Sequence, residues 1–201
     1  MKLYFSPGAC SQAPHIVLRE INANFELVGV DTGKHTFANG QDFYAVNAKG
    51  QVPVLELDSG ERLTEGPIIS QYLADRANAT SLLPGSGIAR YRVLEWANYI
   101  TSELHKSYTP LFNPELDAAA KAVLRKNLRK KYEWVDAQLA GKNHLTGDVF
   151  TIADAYLFVV TNWRRYVDLD LSDLLNLNAL LDRVAVRPAV EAALRAEKQS
   201  H

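Results

Sequence analysis

Apolar and polar positions change rhythm once along the chain. From residue 1 to about 77, short strand-like runs alternate with helix-like ones. "KLYF" (2–5) predicts a strand ended by "SPG", and "SQAPHIVLREI" (11–21) has helical spacing at Ile16, Val17, Glu20 and Ile21. "FELVGVD" (25–31) is β-rich and offers Phe25, Leu27, Val28 and Val30 to a core. "QDFYAVN" (41–47) reads as a short helix or an irregular turn. "PVLELD" (53–58) and "RLTE" (62–65), with Ser59-Gly60 between them, predict a hairpin. "GPIISQYLADRA" (66–77) follows as a helix with Ile68, Ile69, Tyr72 and Leu73 as its apolar positions. The order is β-α-β-(α)-β-β-α.

"NATSLLPGSG" (78–87) is rich in turn formers and reads as a linker. Beyond it every long segment is helical, over 88–106, 117–141, 151–167, 172–186 and 187–198. The second of these places Leu124, Leu128, Val135 and Leu139 on one face and stops at Gly141. The third is nearly all apolar up to Trp163 and predicts a buried central helix. The expected fold is an α/β domain over 1–77, a linker over 78–87 and an all-α domain over 88–201.

Composition narrows the function classes. With 201 residues, 47% of them hydrophobic, the chain can bury a core without disulfide or metal staples. A net charge of −1 predicts no strong pull toward nucleic acid or anionic lipid. No run approaches the ~18 apolar residues of a membrane span. The start, "MKLYFSPGAC", has an apolar run too short for a signal peptide, broken by Pro7 and Gly8. One cysteine cannot close an internal disulfide, so a cytoplasmic protein is expected. His15, His35, His105, His144 and His201 show no metal-ligand spacing, and no metal is expected. There is no G-x-G-x-x-G and no P-loop, hence no nucleotide site. "RKNLRKK" (125–131) reads as a solvated helix face, and Arg164-Arg165 as either a helix exit to solvent or a pocket lining.

The single cysteine, Cys10, lies just before a predicted helix. Free N–H groups and the helix dipole there favour thiolate over thiol. The plain alternative is a buried cysteine serving as a small hydrophobe. A redox pair is excluded, because Ala13 stands where a C-x-x-C motif needs its second thiol. Val52-Pro53 opens a strand with a residue that cannot donate to a ladder. A cis bond there would turn the Val52 backbone toward a ligand. Glu65-Gly66 stands between a strand and a helix. The N–H groups at 66–68 can hold a carboxylate and Glu65 an ammonium, or the pair is simply a turn with an acid at a helix start. Asn98, Ser102 and His105 share a helix face at spacings of four and three. Contact with a ligand and an interdomain hydrogen-bond network explain that face equally well. Thr151 and Asp154 form a capping box and are assigned to folding.

These stretches together resemble the cytosolic glutathione S-transferases, most closely the bacterial beta class. The matching residues are "SPGACS" (6–11), "VNAKGQVPVLELDSG" (46–60), "LTEG" (63–66), "QYLAD" (71–75), "LEWANYITSELHK" (94–106) and "FTIADAYLF" (150–158). The resemblance implies a thioredoxin-like N-terminal domain, an all-α C-terminal domain, a homodimer, a role in detoxification, and glutathione as co-substrate with no other cofactor. It implies that Val52 and Pro53 meet the cysteinyl part of glutathione and that Glu65 and Gly66 hold its γ-glutamyl end. Cys10 would stand by the thiol, with Asn98, Ser102, Glu103, Leu104 and His105 reaching in from the helical domain. The beta class usually has a lysine where this chain has His35, and Lys34 is adjacent. Pro14 and Pro67 are unusual near helix starts, although a first turn tolerates proline.

Two mechanisms follow from the resemblance. In one, glutathione thiolate attacks an electrophile with Cys10 and His105 as hydrogen-bond partners. In the other, Cys10 attacks a disulfide or peroxide and is released by glutathione. Tyr108, Leu111, Phe112 and Trp163 are the expected apolar wall for the electrophile. The alternative is a non-catalytic ligand-binding or protein-interaction module on the same fold.

Overall fold

The structure is a computed structural model that describes residues 1–199, so His201 lies outside the described residues. The chain divides into two compact units. One is Met1–Thr80 with the segment from Arg187 onward, and the other is Ser81–Val186.

The first unit is built on a four-stranded sheet in the order β2-β1-β3-β4. β1 (Lys2–Phe5) and β2 (Glu26–Gly29) are parallel, which requires a crossover, and α1 (Gln12–Glu20) supplies it. β3 (Val54–Glu56) and β4 (Arg62–Thr64) form the expected hairpin, β3 lying antiparallel to both β1 and β4. Gly60 makes the hairpin turn at φ 86°, a region that costs glycine least. The 41–47 stretch contains a single 3-10 turn, Phe43–Ala45, whose N-cap Asp42 accepts from the Tyr44 N–H at 2.8 Å. Phe43 is driven inward and packs with Tyr4, Val30, Val52 and Val54. α2 (Gly66–Arg76) follows β4 directly, with Pro67 in its first turn where no N–H is missed.

The last helix, α8 (Pro188–Lys198), departs from the expected division, which placed all of 88–201 in one helical domain. It belongs to the first unit and packs on α1. Arg187 donates to both carboxylate oxygens of Glu20 at 2.7 and 2.9 Å, fastening the start of α8 to the end of α1. Val190 and Ala193 are buried between them. Apolar periodicity reveals a buried face but not which surface covers it.

The second unit is helical. α3 (Gly87–Tyr99) runs into a π-helical segment, Ile100–His105, then α4 (Lys106–Tyr108) and a 3-10 turn at Thr109–Phe112. The expected single helix over 88–106 is thus one rod with a wider turn inserted. α3 and α7 (Leu175–Ala185) pack against α6 (Ile152–Thr161), and α5 (Ala118–Gln138) packs against α7. All ten residues of α6 are buried, which makes it the central helix anticipated from its apolar run. It tightens to 3-10 geometry over Asn162–Tyr166 as polar residues return. Arg164 donates to Asn178 of α7 at 2.8 Å, while Arg165 is exposed over the Tyr166 ring. The basic run on α5 is not wholly solvated. Arg129 pairs with Asp173 at 2.6 Å and Lys131 with Glu103 at 2.9 Å.

The capping box of α6 is formed in both directions. Asp154 Oδ2 accepts from the Thr151 N–H and hydroxyl, each at 2.8 Å, and Oδ1 accepts from the Leu145 N–H at 2.8 Å. Burial pushes the Asp154 carboxyl upward in pKa, against the pull of these donors. Asp154→Ala strands two backbone N–H groups away from water. It is expected to lower unfolding free energy by about 3 kcal/mol, read as a fall in the urea midpoint at unchanged slope.

Candidate functional site

Strand polarity brings three separated stretches to one edge of the sheet. Tyr4 is registered with Val54, and Val54 with Thr64. Because neighbouring strands in this row are antiparallel, the exit of β1, the entrance of β3 and the exit of β4 coincide. The turn bearing Cys10, the Val52-Pro53 pair and Glu65-Gly66 are what the chain places there.

The Cys10 turn is rigid for identifiable reasons. The Ala9 N–H donates to the Ser6 carbonyl at 3.1 Å. The buried Ser11 hydroxyl bridges back to residue 6, donating to its carbonyl and accepting from its N–H, both at 3.2 Å. Cys10 is half-buried, one residue ahead of the Ser11 N-cap of α1. Its thiol donates to the Val52 carbonyl at 3.4 Å. The Val52-Pro53 bond is cis. A Cβ built on Gly66 would lie 3.7 Å from Pro53 Cγ and 4.0 Å from the Cys10 carbonyl oxygen, so the three stretches touch.

Glu65 stands at φ 67°, a left-handed conformation that costs a residue with a Cβ of order 1 kcal/mol or more. It is held between β4 and the first turn of α2, where Ile69 N–H donates to its carbonyl at 2.9 Å. Its carboxylate is exposed and meets Lys49 Nζ at 2.6 Å, which also donates to the Thr64 hydroxyl at 3.0 Å. Nothing in the spacing of residues 49 and 65 signals this pair, and only the hairpin register creates it.

His35 and Lys34 have different surroundings. His35 Nδ1 lies 2.9 Å from the Gly50 carbonyl and its ring is 4.9 Å from that of Tyr44. It braces the loop that leads to Val52. The Lys34 side chain is exposed and meets Asp31 at 3.7 Å.

In the second unit the π turn alters the expected polar face. A π segment places more residues in each turn than 3.6, so the α-helical spacing does not carry through it. Asn98 and Ser102 are exposed, the Ser102 hydroxyl donating to the Asn98 carbonyl at 3.2 Å. Leu104 is buried in the core. Lys131, donating to the Glu103 side chain, holds that carboxyl below its usual range. His105 is half-buried and turned toward an aromatic group. Its Nδ1 lies 2.6 Å from the Tyr156 hydroxyl and its ring 4.8 Å from Trp163. Tyr156 was not legible as a partner, since it looked like one more apolar position of α6. Among the four expected wall residues, Phe112 is 48% exposed, whereas Tyr108, Leu111 and Trp163 are buried. Tyr108 has no exposed surface and shares a hydrogen bond with Tyr132 at 3.0 Å. Burial pushes Tyr108 far above the phenol range and Tyr132 up to about 12, so both are neutral at physiological pH.

Comparison with known proteins is consistent across the chain. Residues 1–75 match the family "Glutathione S-transferase, N-terminal domain" and residues 99–188 "Glutathione S-transferase, C-terminal domain". The chain is 50% identical over 198 residues to Glutathione S-transferase GstA of Escherichia coli O157:H7, covering 98% of each protein. Among solved structures it matches a sphingomonad glutathione S-transferase complexed with glutathione at 45% identity and TM-score 0.93, covering 98% of this chain and 99% of that one. It matches the bacterial beta-class glutathione S-transferase of Sphingomonas chungbukensis at 44% identity and TM-score 0.93, covering 98% of each.

The loop before Val52 depends on Gly50. It sits at φ 64°, and a Cβ there would lie 2.7 Å from the Tyr44 ring and 2.8 Å from His35 Nδ1. Gly50→Ala is expected to destabilise the chain by about 2 kcal/mol, measured by thermal unfolding.

Proposed function

The chain belongs to the glutathione S-transferase family, and on that footing we propose that it conjugates reduced glutathione to hydrophobic electrophiles, the peptide being held at the sheet edge of the first unit. The observation that carries this reading is the meeting of Cys10, Val52-Pro53 and Glu65-Gly66. Each presents a different chemistry to a short peptide bearing a thiol. Val52 offers backbone groups for pairing with an extended chain. The N–H groups at the start of α2 offer an anion site for a carboxylate. Glu65 beside them offers a counter-charge for an ammonium, with Lys49 as its present partner. A γ-glutamyl group carries both charges on one carbon, which suits this pair of neighbours.

In the proposed step the glutathione sulfur, as thiolate, attacks an electrophilic carbon. A C–S bond forms, the leaving group departs with its electron pair, and the thiol proton has already passed to solvent. Cys10 acts as a hydrogen-bond partner of that sulfur. Its contact with the Val52 carbonyl keeps the sulfur beside the backbone groups offered to the peptide. Within the second unit, His105, aligned by Tyr156, is the candidate polar group, with Asn98, Ser102 and Glu103 as further candidates, Leu104 lying in the core, and Phe112 as the exposed apolar candidate for the electrophile. His35 acts through the loop it braces, and Lys34 is an exposed cation on the adjoining turn, beside Asp31.

The active form is a cytoplasmic homodimer. Ile88 and Tyr91, both largely exposed on α3, supply apolar surface for a second copy. Light scattering on the purified chain is expected to give twice the 22.4 kDa monomer mass.

The function is tested by intact-mass spectrometry after incubation with oxidised glutathione, on wild type and Cys10→Ala, with parallel conjugation and disulfide-reduction assays. Conjugation by Cys10→Ala is expected to persist within roughly tenfold of wild type, the worth of one hydrogen bond. A wild-type adduct together with loss of all activity in the variant would make Cys10 the nucleophile instead. Absence of any glutathione-dependent turnover would return the binding-module alternative.

A further inference from the structure

Behind the Cys10 turn lies a buried carboxylate that conjugation does not use. Glu197, in the last turn of α8, is 2% exposed. Its Oε2 accepts from the Gly8 N–H at 3.0 Å and from Gln12 Nε2 at 2.8 Å. Its Oε1 lies 2.9 Å from Nδ1 of His15, which is 0% exposed. Arg19 Nε donates to His15 Nε2 at 3.3 Å, so the imidazole proton lies on Nδ1 and points at Glu197. A buried carboxylate is tolerated only when its oxygens are met by donors, and removing one side of such a cluster strands the other. The three groups that meet Glu197 belong to one short stretch. Gly8 is two residues before the thiol, at φ 70° in the turn, while Gln12 and His15 share the adjoining face of α1.

We propose that Glu197 is a positioning residue for Cys10, anchoring the thiol-bearing turn to α8 through the Gly8 amide. With Arg187 gripping Glu20 at the other end, α8 runs antiparallel to α1 and is fastened at both ends. The Arg187 clamp holds the helices together. The Glu197 clamp reaches past α1 to the turn itself. Ser11 closes that turn from within, the Cys10 thiol meets the Val52 carbonyl on one side, and Glu197 ties the turn to α8 on the other. The catalytic meaning of the anchor rests on the proposed role of Cys10 beside the glutathione sulfur.

The test uses the full chain without glutathione. Cys10 is the only cysteine, so iodoacetamide alkylation reports on it alone. Its rate is followed between about pH 5 and 9 for wild type, Glu197→Gln and Val190→Ala, a range that spans thiol ionisation. Val190 is buried in the same helix outside the network, so its truncation loosens α8 and leaves the anchor whole. Glu197→Gln is expected to raise the alkylation midpoint by about 0.5 pH, as the turn loses its alignment on the α1 N-terminus. Val190→Ala is expected to lower the melting temperature and leave the midpoint in place. The sign is diagnostic, because mere removal of a nearby negative charge would lower the midpoint. An unchanged or lowered midpoint in Glu197→Gln, or an equal rise in Val190→Ala, overturns the proposal. Should Glu197→Gln not fold, Gln12→Ala removes one of the three contacts and carries the same expectation. A separate arm adds S-methylglutathione, which has no thiol to consume the reagent, to wild type. If it gives no protection from alkylation, the glutathione reading fails while the comparison of midpoints still decides the role of Glu197.

Discussion

The register of β1, β3 and β4 is the constraint on which the candidate site depends. Side chains alternate along a strand, so a one-residue slip would reverse every face and move every loop at the ends of the sheet. With Tyr4 opposite Val54 and Val54 opposite Thr64, three loops far apart in sequence end at one edge. Both Tyr4 and Val54 contribute to the buried cluster under that edge, together with Phe43 and Val52. The burial that fixes the register is therefore the burial that supports the loops. Glu65 keeps its left-handed backbone because a registered strand enters it and a helix leaves it.

Buried carboxylates serve each unit in a related way. Asp154 joins the start of α6 to the loop at Leu145, and Glu197 joins α8 to the turn at Gly8. In both cases an acid out of water meets three donors that include backbone N–H groups of an irregular segment. Such segments lack ladder or helix partners of their own, and a fixed acceptor gives them one geometry. The difference lies in what the segment carries. At residue 145 it is a connection inside the helical unit. At residue 8 it is the approach to the only thiol.

His105 shows how helix geometry reassigns a side chain. An unbroken α-helix from 87 to 108 would put Asn98, Ser102 and His105 on one face. The π turn over Ile100–His105 separates them, leaving Asn98 and Ser102 in solvent and turning His105 onto Tyr156 and Trp163. Tyr108, one turn on, goes fully into the core with Tyr132. The aromatic residues near His105 thus divide into a buried group that holds the ring and an exposed Phe112.

The local code determined much of this protein. Strand and helix periods marked the sheet, the central apolar helix and the change of architecture near residue 80, because burial imposes those periods wherever it occurs. Short-range chemistry was equally plain. The members of the Thr151–Asp154 box stand only three positions apart, and the box forms as its spacing requires. The chemical types at Cys10, Val52-Pro53 and Glu65-Gly66 were readable, and so was their likeness to one family. What tertiary structure alone decided were pairings across long separations. Lys49 meets Glu65 through a hairpin, Tyr156 meets His105 across two helices, and Glu197 meets Gly8 from the far end of the chain. It also decided that α8 belongs with the first unit. An amphipathic helix announces that one face must be covered, but the covering surface is chosen by shape, by donors and by the course of the chain, none of which is local.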